Sequence, residues 1–99
     1  MKSETAFQSE LKGEIQRRFP GCVILYPDAQ RTQGLPDLLI LHNDKWAALE
    51  CKRSASARKR PNQSYYQEMF NRMSFCRFIF PENKEAVLYD LQRAFESDG

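Results

Sequence analysis

Between residues 3 and 19 apolar side chains recur at Phe7, Leu11, Ile15 and Phe19, with Gln8, Lys12, Gln16 and Arg17 elsewhere around the turn. A repeat of four predicts an amphipathic helix over 3–19, with Ser3 as its N-cap and Pro20-Gly21 as its stop. The period then shortens. Cys22-Val23-Ile24-Leu25-Tyr26 reads as a short strand ended by Pro27-Asp28, and 28–35 (DAQRTQGL) as a polar loop. Residues 37–41 (DLLIL) are almost wholly apolar, which predicts a strand covered on both faces. After the turn material His42-Asn43-Asp44, residues 45–52 (KWAALECK) form a third strand in a hairpin with the second. Pro61 opens a helix of about 13 residues whose stripe of Tyr66, Met69, Phe70 and Met73 is expected in the core. Residues 76–80 (CRFIF) give a fourth strand. Asn83 then caps a last helix with Val87, Leu88, Leu91 and Phe95 inward.

The element order is αβββαβα, without repeats or long linkers, and the economical architecture is a four-stranded mixed sheet flanked by helices. The 99 residues suit one domain, 1–99, with a single core. Apolar runs fall well short of the ~18 residues a membrane helix needs, and the polar N-terminus lacks a secretory apolar stretch. Cys22, Cys51 and Cys76 are too far apart for a metal knuckle and odd in number, so reduced thiols of a cytoplasmic compartment are expected. The single His42 excludes chemistry built on paired histidines; it reads as a turn residue.

Charge changes the picture more than composition does. Residues 20–81 carry nine basic and five acidic groups, whereas 82–99 carry two and five. The densest run, KRSASARKR at 52–60, holds Lys52, Arg53, Arg58, Lys59 and Arg60 without an acid. Such a run is often only a solvated loop, but it attracts phosphates by counterion release and directly follows the chemical motif.

That motif is Asp37, Glu50 and Lys52. Glu50 and Lys52 are two apart on one strand and share a face. If the hairpin turns between Asn43 and Asp44, the antiparallel partner of Asp37 is Glu50, with Lys52 one pleat away. Two converging carboxylates in an apolar hairpin are costly unless a cation joins them. Oxygen donors select a hard dication, Mg²⁺ or Mn²⁺. The ion would acidify water and neutralise phosphate charge while the lysine orients the nucleophile, which is the equipment of phosphodiester hydrolysis.

Pro36-Asp37 … Glu50-Cys51-Lys52 resembles the signature of the PD-(D/E)xK nucleases, whose core is αβββαβ. Gly34-Leu35-Pro36-Asp37-Leu38-Leu39 and Glu50-Cys51-Lys52-Arg53 are similar to elements of the small VRR-NUC and Holliday-junction-resolvase-like members, over about residues 4–80. The resemblance implies that Asp37, Glu50 and the Cys51 backbone carbonyl hold the metal and that Lys52 is the catalytic lysine. It also implies an acid on the first helix followed by Gln, matched by Glu4 and Gln8, and a downstream glutamine, matched by Gln63. Glu4 shares the face of Phe7 and Leu11, with Glu14 on the flank as its rival. A first-turn acid also suits the helix dipole, and Gln63 and Tyr66 also suit ordinary helix positions.

The resulting expectation is a Mg²⁺- or Mn²⁺-dependent endodeoxyribonuclease acting on branched, flapped or junction DNA rather than on a base sequence. Catalytic Asp37, Glu50, Lys52 and Gln63 would be served by Arg31, Arg53, Arg58, Lys59 and Arg60 on the nucleic acid. Cleavage of two strands suggests a homodimer, with Trp46, Phe78 or Phe80 at its interface. The rival expectations are a non-catalytic nucleic-acid-binding module on the same fold and a protein-interaction domain docking an acidic partner.

Overall fold

The computed structural model describes residues 2–97. It contains helix α1 (Glu4–Arg18), strands β1 (Val23–Leu25), β2 (Leu38–His42) and β3 (Lys45–Cys51), helix α2 (Gln63–Met73), strand β4 (Phe75–Ile79) and helix α3 (Lys84–Glu96). The expected order αβββαβα is therefore present as an α/β fold around one mixed sheet. The strands lie in the order β1-β2-β3-β4, antiparallel except for the parallel pair β3–β4. That parallel step needs a crossover, and α2 supplies it.

Both ends of α1 follow local chemistry. Ser3 Oγ accepts the amide hydrogen of Ala6 at 3.1 Å, capping the first turn. After the C-cap residue Phe19, Gly21 takes φ 88°, a left-handed conformation that glycine adopts without steric cost. Phe7, Leu11 and Ile15 are buried on one side of this helix. With Val87, Leu88, Leu91 and Phe95 of α3 they cover the sheet face formed by Leu38, Ile40, Ala47, Leu49, Cys51 and Ile79, and this is the core. Alternation along β2 and β3 sends Leu39, Leu41, Trp46, Ala48 and Glu50 to the opposite face, over which α2 packs.

The hairpin register is the main determinant of the site. Leu38 pairs with Leu49, Ile40 with Ala47 and His42 with Lys45, closed by a turn in which Asn43 has φ 57°. Continued one step past the ladder, the register sets Asp37 opposite Glu50, as the sequence predicts. In β1 only Val23–Leu25 is paired, less than the predicted 22–26.

Two expectations about burial fail together. The second strand is only partly covered on its second face: Leu38 and Ile40 are fully buried, Leu39 is half-buried and Leu41 is 37% exposed. The α2 stripe is not core either, since Met73 is 65% exposed, Tyr66, Met69 and Phe70 are half-buried, and Gln63 is the helix's buried residue. The cause is geometric. One eleven-residue helix lies over β3 and β4 and leaves the β1–β2 half of that face without a helical cover. His42 also departs from the turn assignment: it closes β2, with its ring 5.6 Å from Phe19 and 5.2 Å from Phe95.

The loop before β2 meets the start of α2 at Gly34. This glycine has φ 97°, and a Cβ placed on it would stand 2.6 Å from Cβ and 2.7 Å from the carbonyl carbon of Asn62, itself left-handed at φ 70°. Only the absence of a side chain allows the two segments to touch. Gly34→Ala is expected to lower stability by about 2–4 kcal/mol through left-handed strain plus overpacking, seen as an earlier urea midpoint. An unchanged midpoint would contradict this close approach.

Candidate active site

Asp37 leaves the Gly34-Leu35-Pro36 turn half-buried, and its Oδ2 accepts the amide hydrogen of Cys51 at 2.8 Å across the hairpin. This bond fixes one oxygen of Asp37 against the end of β3, next to Glu50. Glu50 is 3% exposed. Its Oε2 accepts a hydrogen bond from Gln63 Nε2 at 2.8 Å and lies 3.8 Å from Lys52 Nζ. Its Oε1 is buried without any hydrogen-bond partner. An orphaned oxygen on a buried carboxylate is expensive. Burial, and then the negative charge of Asp37, push the Glu50 pKa up to about 8; Lys52 opposes the shift, and a side-chain hydrogen bond with Asp37 and then the charge of Glu4 add to it.

Lys52 is buried with Glu50 and donates to the backbone carbonyl of Arg58 at 3.2 Å. Gln63 Oε1 accepts the amide hydrogen of Arg60 at 2.7 Å while its Nε2 serves Glu50. Both side chains thus tie the 53–60 loop to the carboxylate. The far side of the loop is held by Ala55, whose amide donates to Glu82 Oε2 at 3.0 Å. A hollow of about 320 Å³ lies between the loop and the start of α1, bordered by Glu4, Lys52, Arg53, Arg58 and Arg60. Among the described residues, no carboxylate forms an ion pair with Arg53, Arg58 or Arg60.

The structure thus brings together Asp37, Glu50, Lys52 and Gln63, with Glu4 near enough for its charge to be felt by Glu50. It sets Glu14 apart: that carboxylate is hydrogen-bonded to Lys84 at 3.0 Å and Arg18 at 3.1 Å, which hold it below its usual range. The Cys51 side chain points to the opposite face, and burial raises its thiol well above the ordinary value, leaving it a neutral packing group. All three cysteines are free. Arg31 is exposed in the loop before Gly34 and does not border the hollow. The ammonium of Lys59 sits 4.3 Å from the centre of the Phe78 ring, on the β4 side of the loop. The bonds from Lys52 and Gln63 to the loop backbone had no signal in the residue pattern; the Pro61-Asn62 pair, a turn signal before the helix, was the nearest hint.

The oxygen donors gathered here are the carboxylates of Asp37 and Glu50, a chemistry that matches a hard divalent ion. Glu50 Oε1 has no hydrogen-bond partner among the surrounding side chains, and the Asp37 carboxyl beside it raises the Glu50 pKa through its charge and through a side-chain hydrogen bond. Among the described residues no group of three or more His, Cys, Asp or Glu side chains is arranged to hold an ion. One or two carboxylates suffice for Mg²⁺, which keeps much of its water.

Comparison of the chain with known protein families, curated proteins and solved structures found no match. The resemblance to nucleases therefore rests on the residues themselves. No helix among the described residues is long and apolar enough to cross a membrane.

The raised Glu50 pKa has a definite sign in stability. The native carboxyl keeps its proton up to about 8, whereas its ordinary value is 4.5, so the native state binds more protons between the two. Stability then falls as pH rises across that interval. In chelator-treated buffer, Glu50→Gln is expected to raise Tm over the parent by a margin that grows from 4.5 towards 8. A margin independent of pH would remove this account.

Proposed function

We propose that this protein is a metal-dependent endodeoxyribonuclease that hydrolyses phosphodiester bonds in branched or otherwise structured DNA. The observation that carries the reading is the buried, unpartnered Glu50 Oε1 beside Asp37, with the Lys52 ammonium 3.8 Å from the other oxygen of Glu50. With a pKa near 8 the Glu50 carboxyl holds a proton at neutral pH, and a cation bound between it and Asp37 would take the place of that proton. Asp37 and Glu50 would hold Mg²⁺ or Mn²⁺, with the Cys51 carbonyl and Glu4 the further donors that the nuclease resemblance implies. When bound, the cation supplies neutralisation of phosphate charge and acidification of water.

The remaining roles belong to the chain. Gln63 holds the Glu50 carboxylate in one orientation through its bond to Oε2. The Lys52 ammonium, buried and bonded to the Arg58 carbonyl, would exchange that bond for one to a non-bridging phosphate oxygen or the attacking water. Arg53, Arg58 and Arg60, exposed and without carboxylate partners, take backbone phosphates on either side of the scissile one. Interactions of that kind carry no base information, which favours recognition of DNA shape over sequence.

Two measurements test this. On a panel of linear, flapped, four-way-junction and single-stranded DNAs, cleavage is expected only with Mg²⁺ or Mn²⁺. Alanine at Asp37, Glu50 or Lys52 is expected to lower its rate by about 100-fold or more while DNA binding persists. Absence of cleavage by the parent protein on the whole panel would leave a non-catalytic nucleic-acid-binding module. Truncating Arg58, Lys59 and Arg60 together is expected to weaken binding to all sequences and to flatten the salt dependence by about one unit for each phosphate no longer neutralised. Metal binding, followed by the Mn²⁺-induced rise in Tm, should survive in that triple variant.

A further inference from the structure

The basic loop 53–60 has little apolar material with which to hold itself. Ser54, Ala55, Ser56 and Ala57 carry only small side chains, and no residue of the loop enters the core. Within it the Ala57 amide donates to the Ser54 carbonyl at 3.2 Å, and the hydroxyls of Ser54 and Ser56 are 3.3 Å apart. Residues 54–57 are therefore one small turn, and its position is set from outside. On the site side Lys52 and Gln63 hold the Arg58 carbonyl and the Arg60 amide. Among the described residues, the 54–57 turn has a single hydrogen bond to the rest of the chain, from the Ala55 amide to Glu82 Oε2 at 3.0 Å.

Glu82 stands on a firm base. It lies in the turn between β4 and α3, where Asn83 Oδ1 accepts the Phe80 amide hydrogen at 2.8 Å and Asn83 Nδ2 donates to the Phe78 carbonyl at 3.1 Å. Pro81 fixes a further backbone angle just before it. Glu82 also borders a hollow of about 400 Å³ together with Arg53 and Lys84. Among the described residues it forms an ion pair with neither. The carboxylate is thus directed to a backbone amide, and exposed Arg53, which borders this hollow and the one beside Lys52, keeps its guanidinium unpaired.

We propose that Glu82 is the positioning residue of the basic loop: by holding the Ala55 amide it fixes the turn from which Arg53 and Arg58 present their charges beside Lys52. A loop already in place loses less conformational entropy when it takes a phosphate. The consequence for DNA rests on the nuclease reading of the site; the effect on loop order does not. Charge alone makes the opposite demand, because an acid next to a phosphate-binding loop repels phosphate. The two effects separate in Glu82→Gln, which removes the charge but keeps an oxygen able to accept the Ala55 hydrogen. Glu82→Ala removes both.

Native-state trypsin digestion of the full chain reads the loop directly, since Arg53, Arg58 and Lys59 are exposed cutting points. Glu82→Ala is expected to be cut in the loop about five-fold faster than the parent or more, at a near-parental Tm, and Glu82→Gln at the parental rate. In anisotropy titrations with four-way-junction DNA, Glu82→Gln is expected to bind at least as tightly as the parent and Glu82→Ala several-fold more weakly than Glu82→Gln. The Mn²⁺-induced rise in Tm should be the same in all three. Loop cleavage that is unchanged in Glu82→Ala, or equally fast in both variants, would overturn the anchor. Equal DNA affinity of the two variants would overturn the positioning role. A parent that binds no DNA would count against the nucleic-acid reading instead, and the cleavage rates would still decide the anchor.

Discussion

The register of the β2–β3 hairpin is the constraint on which the candidate site depends. Pairing Leu38 with Leu49 makes the next step along the chain bring Asp37 to Glu50. A slip of one residue would send Glu50 to the α1–α3 core and Cys51 to the open face. The hydrophobic core itself forbids the slip. Leu38, Ile40, Ala47, Leu49 and Cys51 are all essentially inaccessible on one face, and a shifted register would trade them for Glu50 and Lys52. Packing that has nothing to do with catalysis therefore holds the carboxylates together, and the Cys51 amide on Asp37 closes the arrangement.

Once assembled, the cluster works against the fold that made it. Glu50 is surrounded by sheet and helix with one oxygen unanswered, and its partial compensation comes from Gln63 and Lys52. Those two side chains also bind the backbone of the basic loop, through Arg60 and Arg58. The loop's position is thus coupled to the carboxylate's surroundings by hydrogen bonds rather than by apolar packing. Such bonds yield more readily than a core when a competing anion or cation arrives.

The α1 and α3 faces, the hairpin and its register were legible in the residue pattern because each has a strong period or a turn that fixes it. Asp37, Glu50 and Lys52 were legible for the same reason: strand spacing alone puts them on one face. What could not be read was how much cover each face receives. An apolar run such as LLIL looks identical whether the second face meets a helix or nothing, and the Tyr66, Met69, Phe70 and Met73 stripe has helical period in either case. Periodicity records which side chains avoid water, not what they meet. Gln63 was found in the sequence as a residue type after a loop, but its two simultaneous bonds depend on the Gly34–Asn62 approach, which joins segments nearly thirty residues apart.

The ladder explains why one sheet face supports two chemically unlike surfaces. Counted from the hairpin turn, its rows are Leu41 with Trp46, Leu39 with Ala48, and then Asp37 with Glu50. The first two rows are apolar, and the third is carboxylate. The helix that crosses this face follows the same gradient, with Gln63 at its start over Glu50 and Met73 at its end beyond the apolar rows. Helix and strands therefore change character along the same direction. The polar end leaves Glu50 Oε1 without a partner, and the apolar end leaves Leu41 and Met73 partly in water. Neither need is met by the described residues alone, so the least-satisfied parts of this fold are also where binding would stabilise it most.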